Sequence, residues 1–237
     1  MKKTTLFLST AILLGIGINT SQAFAADYTT DGTINYKAGS AVIPPVDPTN
    51  PDPTNPVDPV DPPQPGTGGA LSIDYASKIN FDTQEITSID KTYNAKLDQM
   101  KDGSEKPLYV QVTDQTGTLA GWNLTAKQNA QFKTTDGDEL TGAVLKLSKA
   151  SVASNVDKKY TPGTVATDVT LKPDGSQLPG ITAAKGQGAG TWVYRFGDTN
   201  TNAADAVTLA VPGSTVKLAK EYKTTITWTL QSTPTNP

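Results

Sequence analysis

The chain contains no cysteine and no histidine. Without cysteine it forms no disulfide, so stability has to come from a buried apolar core. Without histidine, a serine or cysteine nucleophile lacks its usual base, and histidine-ligated metal sites are excluded. Lys and Arg form no cluster that could track a phosphate backbone, so no nucleic-acid partner is expected. Long hydrophobic runs are also missing. The one apolar stretch, residues 6–18, falls short of the roughly 20 residues that cross a bilayer.

That stretch follows Lys2 and Lys3 and precedes Ala23-Phe24-Ala25, a small-x-small cleavage site. Residues 1–25 therefore read as a secretion signal, cut after Ala25. The mature chain is expected to be exported with no membrane insertion. Removing Lys2 and Lys3 from the 20 basic side chains leaves 18 against 23 acidic ones, a formal charge of -5.

Residues 29–43 could supply one strand, with Ile34 and Tyr36 on one side, so residues 26–43 are read as an N-terminal strand or arm. Pairing into the main sheet is the favoured fate, since both side chains are otherwise exposed. Residues 44–69 are proline-rich: ten of the 22 residues from 44 to 65 are proline, interleaved with Asp47, Asp52, Asp58 and Asp61. Proline withholds a backbone donor and fixes φ, so no helix or interior strand runs through it. It is expected to be an extended spacer or external loop, opened further by its like charges.

Residues 70–237 read as one all-β domain, a mainly antiparallel β-sandwich or irregular β-barrel. Apolar residues alternate in 108–112 (LYVQV), 192–196 (WVYRF), 207–211 (VTLAV) and 226–230 (ITWTL), the period of strands with one buried face. Turn signals fall between them, among them Asp136-Gly137, Asp174-Gly175, Pro179-Gly180, residues 186–190 and Pro212-Gly213. A helical period fits only residues 148–156, as one turn-like helix.

Two triplets carry the functional question: Trp122-Asn123-Leu124 and Trp228-Thr229-Leu230. On a strand, residues two apart share a face, so each Trp lies with its Leu, and Ile226 joins the second pair. Thr225, Thr227 and Thr229 then form an opposite, polar face. The pairs are either core anchors or platforms for sugar rings, with threonine and asparagine holding hydroxyls. Trp192 is likewise a glycan contact or a core aromatic.

These two triplets, the second close to residue 237 in a Thr-rich strand, resemble the motifs of the WxL family of Gram-positive bacterial surface proteins. Leu140-Thr141-Gly142-Ala143, Gly188-Ala189-Gly190-Thr191-Trp192, Val211-Pro212-Gly213, the Asp-Pro spacer and Leu71-Ser72-Ile73-Asp74-Tyr75 resemble that family too. The resemblance implies a module of the cell surface, attached non-covalently to the wall, with peptidoglycan or another wall glycan as ligand. It also implies a partner, a surface protein carrying a WxL-interacting domain. Trp122, Leu124, Trp228 and Leu230 match the motif positions.

No enzyme is expected. Asp98, Asp102 and Glu105 would be the carboxylates of a glycosidase, but their polar segment reads as solvated surface. Asp136-Gly137-Asp138-Glu139 lacks the ligand spacing of a calcium loop, and residues 186–190 lack the Lys-Ser/Thr of a phosphate loop, so neither metal nor cofactor is implied. Residues 177–182 (QLPGIT) lack the order of a covalent wall-sorting signal, and no apolar tail follows. The expected function is thus non-covalent wall attachment. The alternative is a protein–protein module that docks on a WxL-interacting surface protein and reaches the wall indirectly.

Overall fold

The computed structural model describes residues 27–62 and 64–232; the signal reading of residues 1–25 lies outside them. The chain divides into two units, residues 1–36 and 37–237. Of the first, residues 27–36 are described. They form no strand, and Ile34 and Tyr36 are 74% and 88% exposed. The strand expected from residues 29–43 does not form: their backbone enters no ladder.

The second unit is built of strands β1 (Leu71–Ala76), β2 (Lys91–Asn94), β3 (Asp98–Gln99), β4 (Glu105–Lys106) and β5 (Tyr109–Asp114). Next come β6 (Trp122–Gln128), β7 (Val144–Leu147), β8 (Ala150–Ala153), β9 (Thr164–Val165) and β10 (Val169–Thr170). The chain continues through β11 (Gln177–Ala183), β12 (Gly190–Phe196), β13 (Val207–Val211) and β14 (Ile226–Ser232). They pair antiparallel into sheets ordered β1-β5-β12-β8, β10-β7-β13-β2 and β14-β6-β11-β9, with β3-β4 as a separate hairpin. This is an all-β, sandwich-like body without barrel closure. Residues 148–156, expected to hold a turn of helix, instead supply β8. Val152 reaches the core from it, and Ser151 turns to the opposite face, where its hydroxyl accepts from Arg195 Nε (3.1 Å).

One core joins the apolar faces of all three sheets. Val110, Val112, Trp192, Tyr194 and Phe196 come from the first, Leu145, Leu147, Val207, Leu209 and Val211 from the second, and Trp122, Leu124, Ala126 and Ile181 from the third. Period-two alternation delivers each set. Pro179-Gly180 marks no turn: it lies within β11, where the register against β6 slips between Pro179 and Ile181. Proline has no amide to offer the ladder, so a bulge is where a paired strand can hold it.

The central strand β5 departs from the expected single buried face, since all six of its residues are buried. Its second face is covered by residues 44–62, which belong to the segment 44–69 expected to be an extended spacer or external loop. Val46 is fully buried there with Tyr75, Tyr109 and Val193. The segment folds because it is a tandem repeat, DPTNP followed by DPTNP. Asp in the first position and Pro in the second make a turn. Accordingly Asp47 accepts from the Thr49 amide at 2.8 Å and Asp52 from the Thr54 amide at 2.9 Å. The aspartates close turns instead of repelling one another, and the segment doubles back with the Val57 amide on the Pro45 carbonyl (2.8 Å).

Side chains of the sheet hold this strap. Buried Gln111 accepts from the Val46 amide (2.9 Å) and donates to the Pro44 carbonyl (3.1 Å) and Asp74 (3.2 Å). Arg195 donates to the Pro48 carbonyl at 2.8 Å. Lys106 meets Asp47 at 2.6 Å. Partial burial raises the Asp47 carboxyl, but the bonds from Lys106 and Thr49 outweigh it and hold the group below the usual range. Proline carbonyls without neighbouring amide donors suit these contacts, because sheet side chains supply the missing hydrogens.

Gln111→Ala leaves the Val46 amide and Asp74 short of partners, which is expected to cost about 2 to 3 kcal/mol. Denaturant unfolding measures the loss. Limited proteolysis is expected to cut within residues 37–62 of the variant well before the parent chain.

Candidate functional site

The two Trp-x-Leu triplets meet in one place. Strands β6 and β14 are neighbours, and their register sets Leu124 opposite Leu230, Trp122 opposite Ser232, and Trp228 opposite Ala126. The triplets therefore run side by side in opposite directions, leucines paired in the middle and tryptophans at the two ends. All four side chains point into the core.

Trp122 and Leu124 are completely buried. The Trp122 indole donates to the Gly188 carbonyl at 3.0 Å. Only glycine fits at that seat: its φ is +78°, and an added Cβ would lie 2.4 Å from the Trp122 ring nitrogen. Trp192, 3% exposed, donates to the neighbouring Ala189 carbonyl at 2.9 Å. Both buried indoles thus tie down the Gly-rich loop of residues 186–190. Its composition marked it as a turn, but only the structure reveals it as the socket of a tryptophan sixty-six positions away.

Trp228 and Leu230 are half-buried, because β14 is the edge of its sheet. The Trp228 ring stands edge-on to Tyr194 (6.3 Å, 83°) and stacks near Phe196 (6.4 Å, 29°), two rings of the opposing sheet. Trp122, Trp228 and Trp192 therefore all serve the core, and no flat indole platform stands free on this sheet.

The outward face of the same sheet is polar. Asn123, Thr125 and Lys127 alternate with the buried motif residues of β6; Gln231, Thr229 and Thr227 stand opposite them on β14; Thr182, Pro179 and Gln177 flank them on β11. Neighbouring strands place such side chains about 5 Å apart and alternate residues about 7 Å apart. The result is a flat grid of hydroxyls and amides with one charge, Lys127. Thr227 is held by Asn129 at 2.9 Å, but the bonds at Thr229 are long, Gln177 to Thr229 Oγ1 at 3.5 Å and Thr125 Oγ1 to the Thr229 carbonyl at 3.5 Å. These groups are free to exchange partners. Sequence reading named the threonine side of β14; the matching residues of β6 and β11 follow from register, which one sequence does not display.

The other candidates separate. Asp98 is buried, contrary to the solvated surface charge expected of it. It accepts from Tyr75 at 2.5 Å and Ser77 at 2.6 Å, and burial pushes its carboxyl up. The polar look of its segment hid the cover that β1 and the strap supply. Asp102 is exposed, and bonds to Ser104 hold its carboxyl down; Glu105 is exposed and accepts from Gln99 at 2.6 Å. Asp74, also buried and pushed up by burial, is enclosed by Ser72, Thr113 and Gln111. Asp74 and Asp98 each answer to their own donors, as structural carboxylates. Asp136 and Asp138 both face Lys220, at 2.7 and 3.7 Å. Among the described residues no cluster of three or more acidic side chains is assembled as a metal site.

Trp122→Ala is expected to cost about 3 to 5 kcal/mol, as loss of a fully buried large ring does. Trp228→Ala, at the half-covered edge, is expected to cost about 2 kcal/mol; paired denaturation curves give the order. The raised carboxyl of Asp98 keeps its proton to higher pH in the folded chain than in the unfolded one. Its contribution therefore weakens as pH rises from the ordinary carboxylate range through the folded value. Asp98→Asn removes that dependence, so the variant gains on the parent as pH rises above the ordinary carboxylate range in denaturant titrations.

No curated protein and no solved structure matches, and among the described residues no helix is long and apolar enough to cross a membrane. The model of the WxL domain, described as surface cell wall-binding, matches residues 23–234, nearly the whole chain and both Trp-x-Leu triplets. The chain belongs to the WxL family of surface cell wall-binding domains.

Proposed function

We propose that this protein attaches non-covalently to the bacterial cell wall by laying the outward face of the β14-β6-β11 ladder on peptidoglycan glycan, without catalysis. The carrying observation is the division of labour on β6 and β14: the motif residues are spent on the core, and the alternate residues form a level field of hydroxyl and amide groups. Sugar hydroxyls and N-acetyl groups both donate and accept hydrogen bonds, as do Thr, Asn and Gln. Each such bond is worth about 1 kcal/mol net. A handful gives a weak single contact, and a repeating polymer offers the same contact in many registers.

The test uses the chain from residue 26 onward with isolated peptidoglycan and no other protein. The chain is expected to sediment with the wall and to be released when the glycan is digested. The triple variant Asn123→Ala, Thr125→Val, Gln231→Ala is expected to bind at least about tenfold more weakly, with its unfolding midpoint unchanged. Binding that appears only when a surface protein with a WxL-interacting domain is added would assign indirect attachment in place of direct glycan contact.

A further inference from the structure

Strand β14 ends its sheet, and among the described residues no strand pairs on its outer side. Proteins commonly protect such an edge with charge, proline, a bulge or shortness. The other free edges here have those devices: β9 and β10 are two residues long, β8 and β2 four, and β1 carries a register slip at Ile73/Tyr75. Strand β14 is seven residues long, carries no charge and no proline, and keeps continuous register with β6. Its inward row, Ile226, Trp228 and Leu230, is only half-covered, whereas Trp122 and Leu124 one strand inward are fully buried.

The chain also carries a strand-like sequence pattern outside any sheet. Residues 33–37 read TINYK, apolar at Ile34 and Tyr36 and polar at Thr33 and Asn35. Residues 33–36 end the segment 27–36, which enters no ladder and leaves both apolar side chains largely exposed. Its alternation is the one that β14 lacks a neighbour to supply: Ile34 and Tyr36 against the half-covered row, Thr33 and Asn35 continuing the polar outward face.

We propose that residues 33–37 of one copy add as a strand to the free edge of β14 in a second copy. Backbone hydrogen bonds would supply the affinity, and the Ile34/Tyr36 alternation the register. The contact joins unlike surfaces, an arm and an edge, so repetition gives a ring or an open array. Each added arm would widen the polar grid by one strand. This inference does not rest on wall binding, which the arm-deleted chain tests separately.

The chain has no cysteine, so single thiols can be placed at will. Chains carrying Asn35→Cys are mixed with chains carrying Thr227→Cys, Thr229→Cys or Gln231→Cys and oxidised. The expected result is a mixed disulfide dimer for at least one pairing. Ile34→Asp in the arm is expected to abolish it, together with the concentration-dependent mass seen by sedimentation. Ile34 and Tyr36 are largely exposed, so arm variants are expected to keep the parental unfolding midpoint. A chain that stays monomeric at about 100 μM without any cross-link would overturn the proposal. So would association that survives deletion of residues 27–36, a disulfide formed only within one chain carrying both thiols, or an arm captured solely by a different protein.

Discussion

The structure depends on the antiparallel pairing of β6 with β14, leucine opposite leucine. That register fixes what every other residue of the two strands does. With Leu124 facing Leu230 in the core, Trp122 must lie inward at one end and Trp228 inward at the other, while Asn123, Thr125, Thr229 and Gln231 must face out. A slip of one residue would reverse both faces, burying the hydroxyls and exposing the indoles. The two tryptophans then recruit separate parts of the molecule. Trp122 closes the loop around Gly188, and Trp228 meets Tyr194 and Phe196 across the sandwich. The strands that carry the family's motif are therefore the ones that hold the third sheet to the first.

A second constraint comes from the proline-rich strap. It turns the first sheet into a middle layer, with Trp192, Tyr194 and Phe196 on the core side, and with Gln111, Thr113, Thr191 and Arg195 beside Tyr75, Tyr109 and Val193 on the other. The buried carboxylate of that layer is tolerable because it is well supplied: Asp74 takes Ser72, Thr113 and Gln111, and Thr113 shares a hydrogen bond with Thr191 at 2.9 Å. The strap is part of the folded domain and cannot act as a free spacer while those contacts hold.

Much of this was legible in the sequence where one period decides the outcome. Strands β12, β13 and β14 lie where alternation put them, and the shared face of each Trp-x-Leu pair follows from geometry alone. Local chemistry misled where a distant partner settles the matter. The DPTNP repeat contains its own turn signals, yet counting like charges suggested an open chain; the asparagine and threonine spacing within each repeat was the better guide. Asp98 looks solvated among polar neighbours and is buried under Tyr75 and Ser77. Pro179-Gly180 has the composition of a turn and the position of a bulge. TINYK has the pattern of a strand and, among the described residues, no ladder to enter. Register across strands, which decides that Thr125 stands beside Thr229 and Pro179, leaves no mark on one sequence.

The central claim is that the tryptophans of the motif build the scaffold and the residues between them meet the wall. Nuclear magnetic resonance of the isotopically labelled chain, titrated with a soluble peptidoglycan fragment, tests it most directly. The account predicts that resonances of Asn123, Thr125, Thr229 and Gln231 move, while the indole N–H signals of Trp122 and Trp192 stay fixed and protected from solvent exchange. Shifts concentrated on the indoles, with the outward residues unmoved, would contradict it.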